Sequence, residues 1–284
     1  MRYAHLVARF TSEPWFIDPA TLQGLANLLT ARLEGAAVEP AAGEHDDAGE
    51  VPASPLDSLA IVTANGVFGQ HLSLMESACG AVSYERLVAR VQAAAADPAI
   101  KTIVLWLNSR GGTCAGCTEA FTRLLEIKAA SGKPLIAFCD SVCGSAAFYL
   151  AAACDAIICT PTARLGCIGS ILSYDVTAAK SVKDGIQRFT FKTASMKDLG
   201  TPDRVPTPAE TDQLQAMVDT YGRLFVADMR ATRPQITEEV YEKGLVYIGQ
   251  QAVAAGLADE VMPDFQAFLE SLLANLPAAA PATA

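Results

Sequence analysis

Two glycine-rich loops and one serine carry the residue types that acyl transfer needs. Cys143-Gly144-Ser145-Ala146-Ala147-Phe148 puts Ser145 at the start of a small-residue apolar run that reads as a short buried helix. A helix N-terminus favours negative charge, which suits a hydroxyl developing alkoxide character. A plain helix cap would look the same. Asn108-Ser109-Arg110-Gly111-Gly112 lies between an apolar strand and a helix. Paired glycines can aim backbone N–H groups at an oxyanion, and a tight strand–helix turn also uses them. A serine nucleophile needs a base. The histidines are His5, His45 and His71, and none stands in a motif with Ser145, so a Ser-His-Asp triad has little support. Lysine is the other known partner. Lys197, in Ser195-Met196-Lys197-Asp198-Leu199-Gly200-Thr201-Pro202, is available, although by itself it also fits an ordinary surface lysine. A lysine acting as base must be neutral, which takes a fall from ~10.4 toward ~7; burial in an apolar cleft can supply it.

Other chemistries find less support. There is no GxGxxG and no GxxxxGK[ST], so phosphate binding has little support. Cys114-Ala115-Gly116-Cys117 is a CxxC, but Cys139 and Cys143 do not repeat that spacing as a second zinc knuckle would. No metal and no cofactor is expected. The cysteines read as reduced, small packing residues.

The elements that must position these loops follow from hydrophobic patterning. Residues Leu59–Val67 read as a strand and turn, Tyr84–Ala96 as a helix, and Lys101–Leu107 as an apolar strand. A helix at about Thr118–Ser131, a strand at Lys133–Cys139, a short helix at Ser145–Ala153 and a strand at Ala156–Cys159 follow. Strands alternating with helices across short loops imply βαβ units and a parallel sheet, whose chemistry sits at the carboxyl ends of its strands. A further strand is expected at Gln187–Lys192. A long amphipathic helix at about Pro208–Arg230 begins with a capping Thr207, Pro208 in its first turn and Glu210 three residues after the cap.

Outside this region lie a helical pattern between Leu22 and Leu33 and an Ala/Glu/Asp/Pro/Gly-rich stretch from Glu34 to Ser58. The expected division is an N-terminal helical appendage at 1–34, a flexible linker at 35–58, a catalytic domain at 59–265, and a helix end with an Ala/Pro tail at 266–284. The net charge of −10 argues against nucleic acid or an anionic membrane as partner. Mean hydropathy is +0.26, yet the most apolar stretch, Ala146–Cys159, is cut by Asp155. Neither a membrane anchor nor a signal peptide is expected.

Taken in order, Asn108–Gly112, Cys143–Tyr149, Thr162–Gly169, Lys197–Pro202 and Val246–Glu260 resemble the signal-peptide peptidase family of serine peptidases. The N-terminal helix and linker make the chain similar to the phage head maturation (capsid assembly) protease branch. The resemblance implies a Clp protease/crotonase-like α/β fold, Ser145 as nucleophile, Lys197 as general base, and Gly111 and Gly112 as the oxyanion hole. It also implies a homo-oligomer acting on scaffold or capsid proteins in the host cytoplasm or procapsid interior. The alternatives are a soluble signal-peptide-degrading peptidase and a non-catalytic assembly protein of the same fold. Two positions depart from the family pattern. Arg110 stands where the family has proline, adding a positive group beside the cleft. Cys167 stands where a serine orients the lysine, with Ser170 three residues later as a substitute; a thiol is the weaker hydrogen-bond partner.

Overall fold

The computed structural model describes residues 13–33, 58–73, 76–77 and 80–275. The expected linker, apart from Ser58, and the Ala/Pro tail fall outside them. In chain order the elements are β1 (Trp15–Ile17), α1 (Pro19–Leu33), β2 (Leu59–Asn65), β3 (Val67–Gly69), β4 (Ala81–Ser83) and α2 (Tyr84–Ala96). Next come β5 (Thr102–Asn108), β6 (Gly111–Thr113), α3 (Cys117–Ser131), β7 (Leu135–Cys139), β8 (Val142–Gly144) and α4 (Ala146–Ala151). The chain continues with β9 (Ala156–Cys159), β10 (Arg164–Gly166), α5 (Ala178–Lys183), α6 (Pro208–Thr232) and α7 (Glu238–Lys243). It closes with β11 (Val246–Ile248), α8 (Gln250–Ala254), β12 (Glu260–Val261) and α9 (Phe265–Asn275).

The central sheet has the order β12-β9-β7-β5-β2, and every pairing in it is parallel. Helices cover both faces, which is why its strands are near-continuous apolar runs rather than alternating ones. One face carries Ile103, Leu105, Ala137 and Ile157 into the main core with α2, α3 and α4. The other carries Leu59, Val104, Phe138 and Ile158 against Phe268 of α9, where Phe265 stacks on Trp106 at 4.0 Å. The expected α/β architecture of a parallel sheet with packed helices is the observed one.

Strands β5 and β7 do not end at the sheet. Each turns outward into a short second strand, β6 and β8, and these belong to two smaller sheets, β1-β6-β3-β4 and β11-β10-β8. Ser109 N–H donates to the Val142 carbonyl at 2.8 Å, and Gly144 N–H donates to the Ser109 carbonyl at 3.0 Å. The two glycine loops are thereby fastened side by side.

Three features differ from the sequence expectation. The N-terminal region holds a strand as well as a helix: Trp15, Phe16 and Ile17 are all buried, and β1 pairs with β6. Residues 187–192 form no strand. Their alternation of Phe189 and Phe191 with polar neighbours has the period of a half-buried strand, but no edge among the described residues pairs with it. The long helix runs two residues further than expected, to Thr232, and its capping box between Thr207 and Glu210 is formed as the sequence implies.

Candidate active site

Ser145 sits between β8 and α4 with φ 53° and ψ −115°. A non-glycine residue there is strained and persists only where its surroundings fix it. Ser145 N–H donates to the Gly166 carbonyl at 2.7 Å, and Tyr149 N–H donates to the Ser145 carbonyl at 2.9 Å. The residue is 0% exposed. Its Oγ caps nothing and has no hydrogen-bond partner among the described residues. That removes the plain helix-cap alternative, since a capping serine uses its oxygen.

Gly111 and Gly112 lie in β6, next to this turn. A Cβ on Gly144 would be 3.6 Å from the Arg110 carbonyl, so the backbone of the Arg110-Gly111 loop runs directly beside the residue before Ser145. Gly111 has φ 122° and its N–H donates to Ser109 Oγ at 3.1 Å. Gly112 has Phe16 of β1 across one edge and Phe68 of β3 across the other. Both positions require glycine: a Cβ would lie 2.0 Å from the Phe16 carbonyl oxygen at 111 and 2.2 Å from the Phe68 carbonyl oxygen at 112.

Cys167 follows the carbonyl that holds Ser145. It has φ 55°, and its N–H donates to the Leu245 carbonyl at 2.8 Å. Burial, helped by the charge of Asp18, pushes its thiol up to about 11. Ser170 Oγ donates its proton to the Val218 carbonyl of α6 at 2.6 Å. In this conformation its one donor is spent on docking that helix and is not offered to a lysine. The charge anticipated at Arg110 has a partner: Arg110 lies 3.6 Å from the Asp18 carboxylate, just beyond β1.

Lys197 is not brought to Ser145. It lies exposed on a turn whose N–H donates to the Ala194 carbonyl at 3.1 Å. The segment carrying it is organised by charge. Lys192 pairs with Asp198 and donates to the Ser195 carbonyl at 2.7 Å. Arg204 bridges Asp198 at 3.1 Å and the buried Glu210 at 2.5 and 2.6 Å. The Arg204 guanidinium and the Thr207 amide hold the Glu210 carboxyl well below the usual carboxylate range. Lys192, the other lysine near this turn, is thus engaged by Asp198 and the Ser195 carbonyl. The same segment exposes large apolar side chains, with Phe189 76% and Phe191 94% accessible.

The six buried cysteines, Cys114, Cys117, Cys139, Cys143, Cys154 and Cys159, are free thiols. Burial pushes Cys114, Cys117 and Cys154 well above the ordinary thiol range. Among the described residues no cluster of His, Cys, Asp or Glu could hold a metal ion. His71 is exposed and paired with Glu85 at 3.0 Å, while His5 and His45 lie outside the described residues. The sequence reading missed the aromatic wall beside Ser145: Tyr149 of α4 donates to Asp228 of α6 and stacks on Phe225 at 4.3 Å. The aromatic following Phe148 was visible, but its partners are about eighty positions away in the chain.

Comparison with known proteins gives the lineage. The profile of peptidase family S49 matches residues 127–272, a span that includes Ser145, Cys167 and Lys197. The chain belongs to peptidase family S49. It is 26% identical to the capsid assembly protease C of Escherichia phage lambda over 281 residues, 91% of this chain and 63% of that protein. It is also 26% identical to the head-tail preconnector protein GP5 of Enterobacteria phage P21, over 91% of this chain and 55% of the relative. A protein of Enterococcus faecium, provisionally named signal peptide peptidase SppA, is 30% identical over 58% of this chain and 48% of its own length. This S49 chain therefore spans less than two thirds of the curated relatives it matches. Among solved structures, the 1510-N membrane-bound stomatin-specific protease with a bound substrate peptide is 17% identical. It has a TM-score of 0.44 and covers 76% of this chain and 80% of that one; at that score the likeness adds no weight to the strand order above. No helix among the described residues is long and apolar enough to cross a membrane.

Proposed function

We propose that this S49 chain is a serine endopeptidase that acts on proteins of a phage head, with Ser145 as nucleophile and Lys197 as general base. The observation that carries the chemistry is the Ser145 hydroxyl: buried, without a partner, and held at positive φ beside a double-glycine strand. Such a hydroxyl costs stability, and costly, strained groups of this kind cluster at functional sites. Neutral Lys197 takes the proton from Ser145 Oγ as that oxygen bonds to the substrate carbonyl carbon. The oxyanion is met by the amides of the Gly111-Gly112 strand, and protonated Lys197 then gives its proton to the leaving amine. For Gly111 to take part, its N–H must exchange Ser109 Oγ for the oxyanion.

Lys197 reaches the nucleophile when its arm packs in an oligomer. The exposed Val182, Phe189, Phe191 and Val205 of the arm are the surface a second copy would bury. The choice of substrate rests on coverage. The two phage proteins align with 91% of the chain, its N-terminal region included, whereas the SppA relative aligns with 58%. The test is co-expression with phage scaffold and major capsid proteins as substrates. Wild type should shorten one of them, and Ser145→Ala should not, while light scattering reports an oligomer. Cleavage that persists in Ser145→Ala refutes the nucleophile. Cleavage of free signal peptides but not of head proteins would move the substrate class. A wild type that labels with no serine-directed probe and cleaves nothing would leave the assembly-protein alternative.

A further inference from the structure

The strand edge beside the double glycine is already in use. β1 runs antiparallel to β6, with Trp15 opposite Thr113, Phe16 opposite Gly112 and Ile17 opposite Gly111. The other pairings in that sheet, β6 with β3 and β3 with β4, are parallel. On its far edge β1 meets the segment after Gly169: Trp15 N–H donates to the Ile171 carbonyl at 2.8 Å, and Ile171 N–H donates back at 2.9 Å. A three-residue extended segment is therefore threaded between two backbone edges that frame the turn of Ser145. Phe16 fills an aromatic pocket, its ring 5.5 Å from Tyr149, 6.2 Å from Tyr221 and 5.0 Å from Phe225. Beyond the strand, Asp18 accepts from Thr21 N–H at 3.0 Å at the start of α1 and faces Arg110.

A peptidase must hold its substrate extended, and adding a strand to a free edge does this through backbone hydrogen bonds, with pockets reading alternate side chains. The edges that β1 occupies have that form. They lie along the proposed oxyanion strand, and the nucleophile beside them is sealed. We propose that Trp15–Ile17 is a built-in occupant of the substrate-peptide cleft, and that an extended peptide with a large aromatic side chain in place of Phe16 must displace it to reach Ser145. This inference rests on the serine-peptidase reading above. The hold is strong at Phe16 and weak at its flanks. Trp15, Ile17 and Leu22 form a small cluster separate from the main core, and the Arg110–Asp18 pair is partly solvated, where such pairs contribute little. A tethered strand also acts at an effective concentration in the millimolar range, so it screens out weak peptides.

A reversible staple tests this in the full chain. Trp15 and Ile171 exchange both backbone hydrogen bonds, which puts their Cα atoms at about 5.5 Å, within disulfide reach. The Trp15→Cys/Ile171→Cys protein should label at Ser145 with a fluorophosphonate at least tenfold more slowly when oxidised than after reduction. Equal rates overturn the proposal. The second measurement needs no active serine. The same cysteine pair is placed on Ser145→Ala, and a fluorescent peptide copying residues 12–19 is titrated in. It should bind the reduced form only, and binding should speed hydrogen exchange at residues 15–17. Equal binding to both forms, no binding to the reduced form at millimolar peptide, or unchanged exchange each overturn the occupant role. Labelling absent from both forms, with redox-dependent peptide binding intact, would instead strike the Ser145 chemistry and uphold the strand.

Discussion

Replacing Ser145 by alanine should make the protein more stable while abolishing its chemistry. The hydroxyl is fully buried with no partner, and such a group costs about 1–3 kcal/mol in unmade hydrogen bonding. Alanine removes the oxygen and leaves the backbone at φ 53°, so the expected gain is about 1–2 kcal/mol after a small packing loss. At roughly 2–4 °C per kcal/mol for a chain of this size class, the melting midpoint should rise by several degrees. Ser145→Gly also relieves the positive φ, a strain of about 1–3 kcal/mol. Against that, glycine loses about 0.5–1 kcal/mol through the freedom of its unfolded chain. The ranking expected in dilute protein is Gly at or above Ala, and Ala above wild type. Urea unfolding at equal m-values checks it, with fluorophosphonate labelling run alongside to confirm loss of the nucleophile. If Ser145→Ala is less stable than wild type by about 1 kcal/mol or more even when dilute, the hydroxyl is satisfied in the working protein.

Lys197→Arg should cost about 10²–10⁴-fold in kcat. Lys192→Arg should stay near wild type, because Lys192 already serves as a cation toward Asp198; the reverse pattern in a peptide-cleavage assay would move the base. Arg233 is buried and binds Asp259 at 2.8 and 3.1 Å and the Gly256 carbonyl at 3.3 Å. Arg233→Met should therefore lose about 3 kcal/mol in urea unfolding, and a loss under about 1 kcal/mol would refute the pairing. Above pH 9 the unfolded Cys167 thiol ionises while the folded one stays protonated until about 11. The share of stability owed to Cys167, about 2–3 kcal/mol, should thus be lost between pH 9 and 11, on top of the losses from the other raised thiols Cys114, Cys117 and Cys154. Cys167→Ala should make that slope shallower by one proton's contribution in pH-dependent melting, and an unchanged slope would exclude Cys167 as a contributor.

Local signals were strong enough to read much of this molecule. The apolar runs at Ile103–Leu107 and Leu135–Cys139 are buried on both faces of the central sheet, so their hydrophobicity alone marks them as parallel strands. The helix at Tyr84–Ala96 buries Tyr84, Leu87, Val91, Ala94 and Ala95, a spacing the sequence displays directly. β1 was hidden because Trp15–Ile17 is three residues long between Pro14 and Pro19, too short for any period to show. Its partner β6 is 94 or more positions away in the chain. Residues 187–192 have a strand's alternation without a partner, which local pattern cannot reveal. In the site, the Ser145 turn and the double glycine were legible by type and spacing. The idle Oγ, the pairing of Arg110 with Asp18 and the diversion of Ser170 to Val218 depend on tertiary contacts that spacing does not encode.

The helix at Pro208–Thr232 has a mechanical consequence. Its 25 residues make a rod of about 37 Å at ~1.5 Å per residue. Glu210 at its start grips Arg204 and, through it, Asp198 beside Lys197. Farther along the same rod, Tyr221 and Phe225 wall the pocket of Phe16, and Asp228 accepts from Tyr149. A rod that yields little along its length makes the arm that carries Lys197 and the aromatic pocket two ends of one lever. Binding linkage is reciprocal. Anything that emptied the pocket and shifted its walls would bias how the arm docks, and docking the arm against a neighbour would bias the pocket by the same factor. With a coupling of about 1–3 kcal/mol, dilution alone would change how readily the cleft opens.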